Sequence, residues 1–580
     1  MRLAAACLFA LYALPVAATD MAWVERSNEF SQVLLETQAR FNPEQASFFG
    51  IATFDDQVID LGPQVGERFR AAMAASVKRL EQQLERETDP RVQQDLRILI
   101  GAARDQIEAS EVNQRAQLPW FDAGQLMFSS LQALLQDSVA AERRAKALPR
   151  LQRYVGIADG STPLVEQAKA RYAEVAGDTR LLPPVRANVE QALENLPLYL
   201  DGIRKLFAQY EISDAEPALA ALERQLGEWA DWTRATVLPR ARSDFRLPAE
   251  LYALSLKNFG VDIAPERLAE RARAAFIETR SAMQALAPQV ARAQGIDASD
   301  YRDVIRALKR RSIANDKLEA HYREVNRKLE LAIAEHGIVD LPQRPMQMRL
   351  SSDAEAAAQP APHFLPAPLV GNTGEQGTFV LPVGNPNNKA AYDDFNFAAV
   401  AWTLSAHEGR PGHELQFTAM VERGVSLARS LFAFNSVNVE GWALYAEAEM
   451  VPVEPLEGQL FALQFRLLRN ARAMLDPMLH LGQIDIAQAE RVLLEDVVLS
   501  PGMAKQEIDR YTFNAPGQAC SYYYGYQRIL DIRAEAEIAL GRQFDRRAFN
   551  NFVLDQGLIP PDLLQQAVRE QFIPQRRAGR

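Results

Sequence analysis

The chain has 580 residues, of which 48% are hydrophobic and 24% are charged, and its formal charge is −11. This composition excludes a disordered or fibrous protein, and the length allows two lobes with substantial cores. The acidic balance, without a Lys/Arg cluster interleaved with aromatic residues, argues against nucleic acid as a partner.

Residues 1–18 have the pattern of a signal peptide. Arg2 precedes an apolar run, and small residues lead to an expected cleavage site after Ala18. An uncleaved signal anchor is one alternative, but the run is shorter than the roughly 20 residues that a membrane span needs. Lipid attachment at Cys7 is another, and almost no apolar sequence precedes that cysteine. We therefore expect secretion across the inner membrane into the periplasm of a Gram-negative source, with no membrane insertion of the mature chain.

Most of the chain after the leader has the apolar periodicity of α-helices. A helical segment begins after Pro184, and Pro197 is expected to end or kink it. We expect a mainly α fold with an N-terminal helical lobe, residues 19–250, and a second region, residues 251–580. Two further segments each predict one buried helical face, formed by Phe69, Met73, Val77, Leu80 and Leu84, and by Leu318, Tyr322, Val325 and Leu329.

The helical period disappears in residues 341–388, where prolines and glycines accumulate. Inside this segment of loops and short strands, residues 378–381 form a β-favouring run bounded by Gly377 and Pro382. A short strand can pair with the main chain of an extended peptide, so Phe379 is a candidate substrate-binding residue. A structural hairpin without a substrate role is an equal alternative.

Two of the chain's six histidines, His407 and His413, flank Glu408 in the sequence HEGRPGH. In the HExxH motif, two histidines one helical turn apart bind one metal ion, and the glutamate activates the attacking water. Here the second histidine comes two residues late, and six residues on a straight helix rotate by roughly 240°. Pro411 and Gly412 can distort the helix and bring the rings together. The spacing alone leaves metal ligation and hydrogen-bonded histidines at a helix break equally open.

A zinc site needs a third protein ligand, and Glu440 is the leading candidate. It begins an otherwise apolar, helix-compatible segment, where a carboxylate is costly to bury without a partner. Glu447 lies two helical turns further on the same face and can orient a ligand histidine. A solvent-facing glutamate at position 447 is the alternative.

A third cluster combines Arg510 and Tyr511 with the sequence PGQACSYYYGY at residues 516–526. A tyrosine hydroxyl can donate to the oxyanion that develops when a peptide bond is attacked. Arg510 can hold a substrate carboxylate through two parallel hydrogen bonds. Helix packing is the ordinary alternative for the tyrosines.

Together, the three segments resemble the bacterial family named domain of unknown function 885, which is grouped with the gluzincin metallopeptidases. Its HExxPGH pattern is present at residues 407–413 and its EGWAxYxE pattern at residues 440–447. Its RYxxxPGQAxxYxxG pattern is similar to residues 510–525, with one additional residue before Pro516. The resemblance implies a two-lobed, mainly helical fold around a deep cleft, with a small β element near the active site, as in Taq carboxypeptidase and thimet oligopeptidase.

The resemblance implies a zinc metallopeptidase that acts on short peptides, with residues 251–580 as its catalytic region. Glu408 would be the general base and Tyr522 the oxyanion donor, with Tyr523 and Tyr526 as alternatives for the second role. Glu447 would orient a ligand histidine, and Arg510 would contact substrate. One Zn²⁺ per chain would be bound by His407, His413 and Glu440.

Two functions of other kinds remain open at this point. The protein can be a periplasmic peptide-binding protein that lacks catalysis, although a complete set of two histidines and two glutamates argues against that. It can also be a zinc hydrolase that acts on a non-peptide amide or ester, such as a cell-wall fragment.

Overall fold

The computed structural model describes residues 21–48, 50–136, 139–351, 361–367, 369, 372, 376–382 and 393–579. The expected signal peptide, residues 1–18, lies outside the described residues. None of the described helices has the length and apolar character needed to cross a membrane.

The prediction of a mainly α fold is confirmed, because helices form most of the described chain. Before the sheet they are α1 (Ala22–Ala39), α2 (Pro43–Phe48), α3 (Val65–Leu84), α4 (Pro90–Ala116), α5 (Ala123–Leu134), α6 (Ala141–Arg144), α7 (Ala147–Tyr154), α8 (Leu164–Val175), α9 (Arg186–Gln209), α10 (Glu216–Trp232), α11 (Ala249–Asn258), α12 (Pro265–Gln294), α13 (Tyr301–Lys309) and α14 (Asn315–His336).

A second series of helices follows the sheet. It comprises α15 (Val400–Glu408), α16 (His413–Arg423), α17 (Ser436–Met450), α18 (Leu456–His480), α19 (Ile486–Arg491), α20 (Pro501–Asp509), α21 (Cys520–Leu540), α22 (Arg546–Asp555), α23 (Pro561–Ala567) and α24 (Ile573–Arg577).

The predicted β element is a small three-stranded sheet formed by β1 (Gln347–Leu350), β2 (His363–Leu365) and β3 (Thr378–Leu381). The strand order is β1-β3-β2, with β1 parallel and β2 antiparallel to β3. Because β3 has a strand on each side, its main chain is already paired, and it cannot add an extended peptide as a further strand. The expected peptide-pairing role of residues 378–381 is therefore wrong.

Two amphipathic faces predicted from the sequence are confirmed. Met73, Val77 and Leu80 are buried in α3, and all four predicted side chains of α14 are buried. Pro197 was expected to end or kink its helix, and it does not end it, because α9 continues to Gln209. Buried apolar side chains on both sides of the proline pack into the same core and offset the lost backbone hydrogen bond.

Buried apolar side chains form two principal cores. The main core joins α1, α3 and α4 to α12, α14 and the helices that follow the sheet. The second core is formed by α5 and α7 to α10. Although α1, α3 and α4 precede residue 250, their buried side chains contribute to the main core. The division near residue 250 stays a prediction.

Candidate metal centre

The two histidines of the HEGRPGH segment lie on different helices. α15 ends at Glu408 and α16 begins at His413, and the turn between them contains a cis peptide bond before Pro411. A Cβ at Gly412 would overlap the carbonyl oxygen of His407, so only glycine permits this approach. The helix is broken instead of bulged, and the imidazole centroids of the two histidines lie 4.8 Å apart.

Arg410 fixes this turn to its surroundings, a role that the sequence analysis did not identify. Its guanidinium donates to Glu414 on α16 at 2.6 Å and to Glu330 on α14 at 2.8 Å. It also donates to the carbonyl oxygen of Arg344, just before β1, at 2.9 Å. The turn is thereby held against both α14 and the segment that leads into the sheet.

The two imidazoles converge on one carboxylate oxygen. Nε2 of His407 and Nε2 of His413 each lie 3.5 Å from Oε2 of Glu440. Oε1 of Glu408 lies 3.9 Å from Nε2 of His407, and ligand atoms of Glu408 and both histidines lie within 4.8 Å of one another. Glu440 is the better third ligand, because its oxygen is equidistant from both ring nitrogens.

Glu447 holds His407 from the opposite side of the ring. Its Oε1 lies 2.7 Å from Nδ1 of His407, and its two oxygens also accept hydrogen bonds from Thr403 at 2.7 Å and Arg469 at 3.2 Å. A carboxylate at this position favours the tautomer with the proton on Nδ1, which directs the Nε2 lone pair towards Glu440. The geometry matches the orienting role predicted for Glu447.

The donor set fits a bound cation. Oε2 of Glu440 is buried and has no hydrogen-bond partner among the described residues. Around a tetrahedral zinc ion, ligands about 2.0 Å from the metal are about 3.3 Å from one another. The two separations of 3.5 Å between ring nitrogen and carboxylate oxygen are close to that value. Two imidazoles and one carboxylate are also the ligand types of catalytic zinc sites.

Without a cation, a proton takes its place between the same groups. Burial lowers the pKa of His407, but the neighbouring carboxylates of Glu440 and Glu447 outweigh that effect and raise it to about 9. Burial favours protonation of Glu440, but the two histidines hold its pKa well below the ordinary value. Both shifts show that positive charge is stabilised where these side chains meet.

Close packing of α17 on α21 places Glu440. The helices cross at two glycines, where a Cβ on Gly441 would lie 2.6 Å from the carbonyl carbon of Gly525, and a Cβ on Gly525 would overlap the carbonyl oxygen of Val437. The indole Nε1 of Trp442 donates to the carbonyl oxygen of Pro411 at 3.0 Å. The glutamate that precedes Gly441 is thus held between the HEGRPGH turn and α21.

Tyr522 is the tyrosine of α21 that packs beside the histidines. Its ring lies 6.4 Å from that of His407, with an interplanar angle of 12°. Burial raises the pKa of Tyr522, and the charge of Glu440 raises it further. By contrast, Tyr526 contacts an arginine of α18, and Tyr523 interacts with charged residues of α12. Of the three candidate oxyanion donors, Tyr522 has the best position.

Three arginines surround Tyr522, of which the sequence analysis identified only Arg510. The guanidinium carbons of Arg472 and Arg469 lie 4.5 and 5.9 Å from the ring centroid of Tyr522, and the charge of Arg510 acts on its hydroxyl. Arg469 and Arg472 are three residues apart on α18, and both are buried. Two arginines on one face of a segment rich in apolar residues were the sequence signal that could have indicated buried cations beside the site.

Phe379 does not belong to this site, and its prediction as a substrate-binding residue is wrong. Its side chain is fully buried, and its ring packs edge-on against Tyr322 of α14 with centroids 6.0 Å apart. The side chain is therefore part of the main core and is not accessible to a substrate.

A family model described as "Bacterial protein of unknown function (DUF885)" matches residues 43–568. No curated protein matches the chain. A candidate lipoprotein from Colwellia psychrerythraea has 18% sequence identity and a TM-score of 0.75, with 94% of this chain and 99% of that chain covered. A candidate lipoprotein of unknown function from Shewanella oneidensis has 19% identity and a TM-score of 0.73, with 94% and 100% covered. At these identities the similarity establishes the fold alone.

Proposed function

We propose that this chain, which belongs to the bacterial DUF885 family, is an exported zinc-dependent peptidase of the gluzincin type that hydrolyses short peptides. The main support is the position of Oε2 of Glu440. This buried oxygen has no hydrogen-bond partner among the described residues and lies 3.5 Å from Nε2 of both His407 and His413.

In this proposal His407, His413 and Glu440 hold the zinc ion, which supplies a Lewis acid for the scissile carbonyl. Glu408 accepts a proton from the attacking water and passes it to the leaving amine. Its carboxylate is near the ligands, 3.9 Å from Nε2 of His407, and its side chain is 13% exposed. It can therefore meet both water and substrate.

Tyr522 donates its hydroxyl hydrogen to the oxyanion. The raised pKa keeps the phenol protonated at neutral pH, so it remains a hydrogen-bond donor. Glu447 keeps His407 in the orientation and tautomer that ligation requires.

Two observations support the proposal of export. Residues 1–18 have the pattern of a signal peptide, and two structurally similar proteins are described as candidate lipoproteins. We propose a periplasmic location after cleavage at Ala18. Mass spectrometry of the native N-terminus tests this proposal. An unmodified terminus at Thr19 supports it, whereas an acylated Cys7 would establish a membrane-anchored lipoprotein.

The activity is tested with a diverse pool of short peptides and product identification by mass spectrometry. Zinc-loaded protein is compared with chelator-treated protein, with Glu408→Gln, and with Glu335→Gln as a control at an exposed position of α14. We expect cleavage that disappears with chelator and in Glu408→Gln but persists in Glu335→Gln.

Two other outcomes would contradict peptidase activity. Zinc-loaded protein that cuts no peptide would favour a non-peptide amide or cell-wall fragment as substrate. Protein that neither cuts peptides nor binds zinc would favour a peptide-binding protein without catalysis.

A further inference from the structure

One guanidinium beside the proposed catalytic residues lacks a carboxylate of its own. Arg510 begins a π-helical segment after α20. Its Nη1 is buried and has no hydrogen-bond partner among the described residues. The carboxylate of Glu507 lies 3.8 Å from this nitrogen, beyond hydrogen-bond distance.

Glu507 is already occupied by other donors. Arg472 donates to its two oxygens at 2.7 and 2.8 Å, and the hydroxyl of Tyr511 donates to Oε2 at 2.8 Å. Burial would raise the pKa of Glu507, but Arg472 and Arg510 outweigh this effect and hold it at about 2. The carboxylate is therefore ionised, and its hydrogen bonds go to Arg472 and Tyr511.

The surrounding charges do not neutralise Arg510. Arg469 donates to Glu447 through Nη2, while its Nε and Nη1 are buried and have no hydrogen-bond partner among the described residues. Arg472 pairs with Glu507, so the three guanidiniums around Tyr522 face two carboxylates. Asp476 is also nearby, but its oxygens accept from the hydroxyl of Tyr252 at 2.8 Å and the backbone N–H of Gly517 at 2.8 Å. Burial raises the pKa of Asp476 to about 7, so it is only partly charged at neutral pH.

A buried guanidinium with a free donor is costly unless a ligand completes its hydrogen bonding. Nη1 itself is buried, but 29% of the Arg510 side-chain surface is accessible, so the guanidinium lies at the edge of solvent-accessible space. A carboxylate matches a guanidinium through two parallel hydrogen bonds. Arg510 is linked to Tyr522, the proposed oxyanion donor, through two side chains. Oε1 of Glu507 lies 3.8 Å from Nη1 of Arg510 and accepts from Arg472, whose guanidinium carbon lies 4.5 Å from the ring centroid of Tyr522. An anion on Arg510 would therefore be bound close to the bond that is cut.

We propose that Arg510 binds the free C-terminal carboxylate of the peptide, so that the enzyme removes the last one or two residues of its substrates. This inference rests on the proposed peptidase function. Because only Glu507 and Arg472 separate Arg510 from Tyr522, the fragment between a carboxylate on Arg510 and a carbonyl at Tyr522 would be short. The bond broken is the peptide C–N bond, water supplies the new carboxylate oxygen, and Glu408 returns the proton to the amine.

The test compares two peptides of identical sequence, one with a free C-terminal carboxylate and one with a C-terminal amide. We expect kcat/KM to be at least about tenfold higher for the free acid, because a charge-assisted pair is lost in the amide. Arg510→Gln should abolish the preference mainly through KM, Arg510→Lys should retain part of it, and Arg528→Gln should retain all of it. Arg528 is a suitable control because it lies on α21 and pairs with Asp562.

A binding measurement separates this inference from the proposed function. Calorimetry with zinc-loaded Glu408→Gln, alone and combined with Arg510→Gln, measures the affinity for both peptides without turnover; zinc content and thermal unfolding establish that each variant is folded. Tighter binding of the free acid that depends on Arg510 supports the carboxylate site even if wild type cuts neither peptide. Equal metal-dependent cleavage of acid and amide would overturn the inference and leave the peptidase intact. Failure to bind or cut either peptide would overturn both.

Discussion

The main core around the candidate metal centre and the second core formed by α5 and α7 to α10 bury different kinds of side chain. Among the described residues 123–232, Arg150 is the single charged residue that is buried. It donates to the hydroxyl of Ser130 and the carbonyl oxygen of Phe54, while its Nε has no hydrogen-bond partner among the described residues. The buried acidic, basic and histidine residues between positions 403 and 480 are His407, Arg410, His413, Glu414, Arg429, Glu447, Glu454, Arg469, Arg472, Asp476 and His480.

Burying ionisable groups costs free energy that apolar side chains would not. In the second core this cost is confined to Arg150 among the described residues 123–232, and its apolar side chains contribute to stability. In the main core, ionisable groups are buried where α15 to α18 and α21 meet. Their burial costs free energy, but it holds nitrogen and oxygen atoms in fixed orientations at the candidate metal centre. We therefore expect substitutions in the two regions to have separable effects, on chemistry and metal binding in one case and on folding in the other.

The largest effect is expected for Glu408→Gln at the candidate metal centre of the main core. Loss of the general base should lower kcat by about 10³-fold or more while zinc remains bound, because glutamine cannot accept a proton from water. Steady-state kinetics on metal-analysed protein measure this effect. Turnover near the wild-type rate in a zinc-loaded variant would remove Glu408 from the mechanism.

The matching change in the second core is Leu151→Ala. Leu151 is fully buried on α7, and truncation of such a leucine costs about 2–5 kcal/mol of unfolding free energy. Denaturant unfolding should show this loss, while the folded variant keeps its zinc affinity and kcat. A folded Leu151→Ala protein with weakened zinc binding would show that the two regions are not separable.

A smaller effect is expected when Glu447, which contacts the proposed zinc ligand His407, is changed. Glu447→Gln should weaken zinc binding by about 10- to 100-fold, because a neutral amide orients His407 less firmly. Glu454→Gln is a matched control. Burial raises the pKa of Glu454 to about 8, so glutamine resembles its neutral form. Competition with a chelator measures both affinities, and equal affinities for the two variants would contradict the role of Glu447.

The last effect concerns pH and His480, a buried histidine at the end of α18. Its Nδ1 accepts from the backbone N–H of Leu247 at 3.2 Å and its Nε2 donates to the carbonyl oxygen of Tyr511 at 2.9 Å. Burial lowers its pKa to about 4. Between this value and the unfolded value of about 6.5, the unfolded chain binds more protons, so stability falls as pH falls.

The difference in unfolding free energy between pH 7 and pH 4 should therefore be smaller in His480→Gln than in wild type, because glutamine does not titrate. Denaturant unfolding at several pH values provides the measurement. Identical pH dependence in both proteins would show that His480 is not a source of acid sensitivity.

The sequence was sufficient to predict site residues that belong to short motifs, in which the functional side chains are close along the chain. It identified His407, His413, Glu440 and Glu447 from their spacing and family resemblance, and the structure brings these four side chains together. The sequence also led to Tyr522, whose position follows from the close crossing of α17 and α21 at two glycines.

The sequence was insufficient to predict strand pairs and ion pairs between segments that are far apart along the chain. The β-favouring run at residues 378–381 did not reveal that β1 and β2 would occupy both of its edges, so Phe379 was assigned to a substrate site while it lies in the core. Similarly, the helical pattern of α18 did not reveal which carboxylates Arg469 and Arg472 would meet. Those partners come from α17 and α20.

The central claim is that His407, His413 and Glu440 form a zinc site, and metal content tests it most directly. The test compares five proteins: wild type, His407→Ala, His413→Ala, Glu440→Gln and the control His321→Ala. Each protein is stripped with chelator, dialysed against zinc, freed of excess metal and analysed by mass spectrometry. We predict one zinc ion per chain in wild type and in His321→Ala, and strongly reduced zinc in the three ligand variants. Folded wild type without zinc, or ligand variants that retain it fully, would contradict the account.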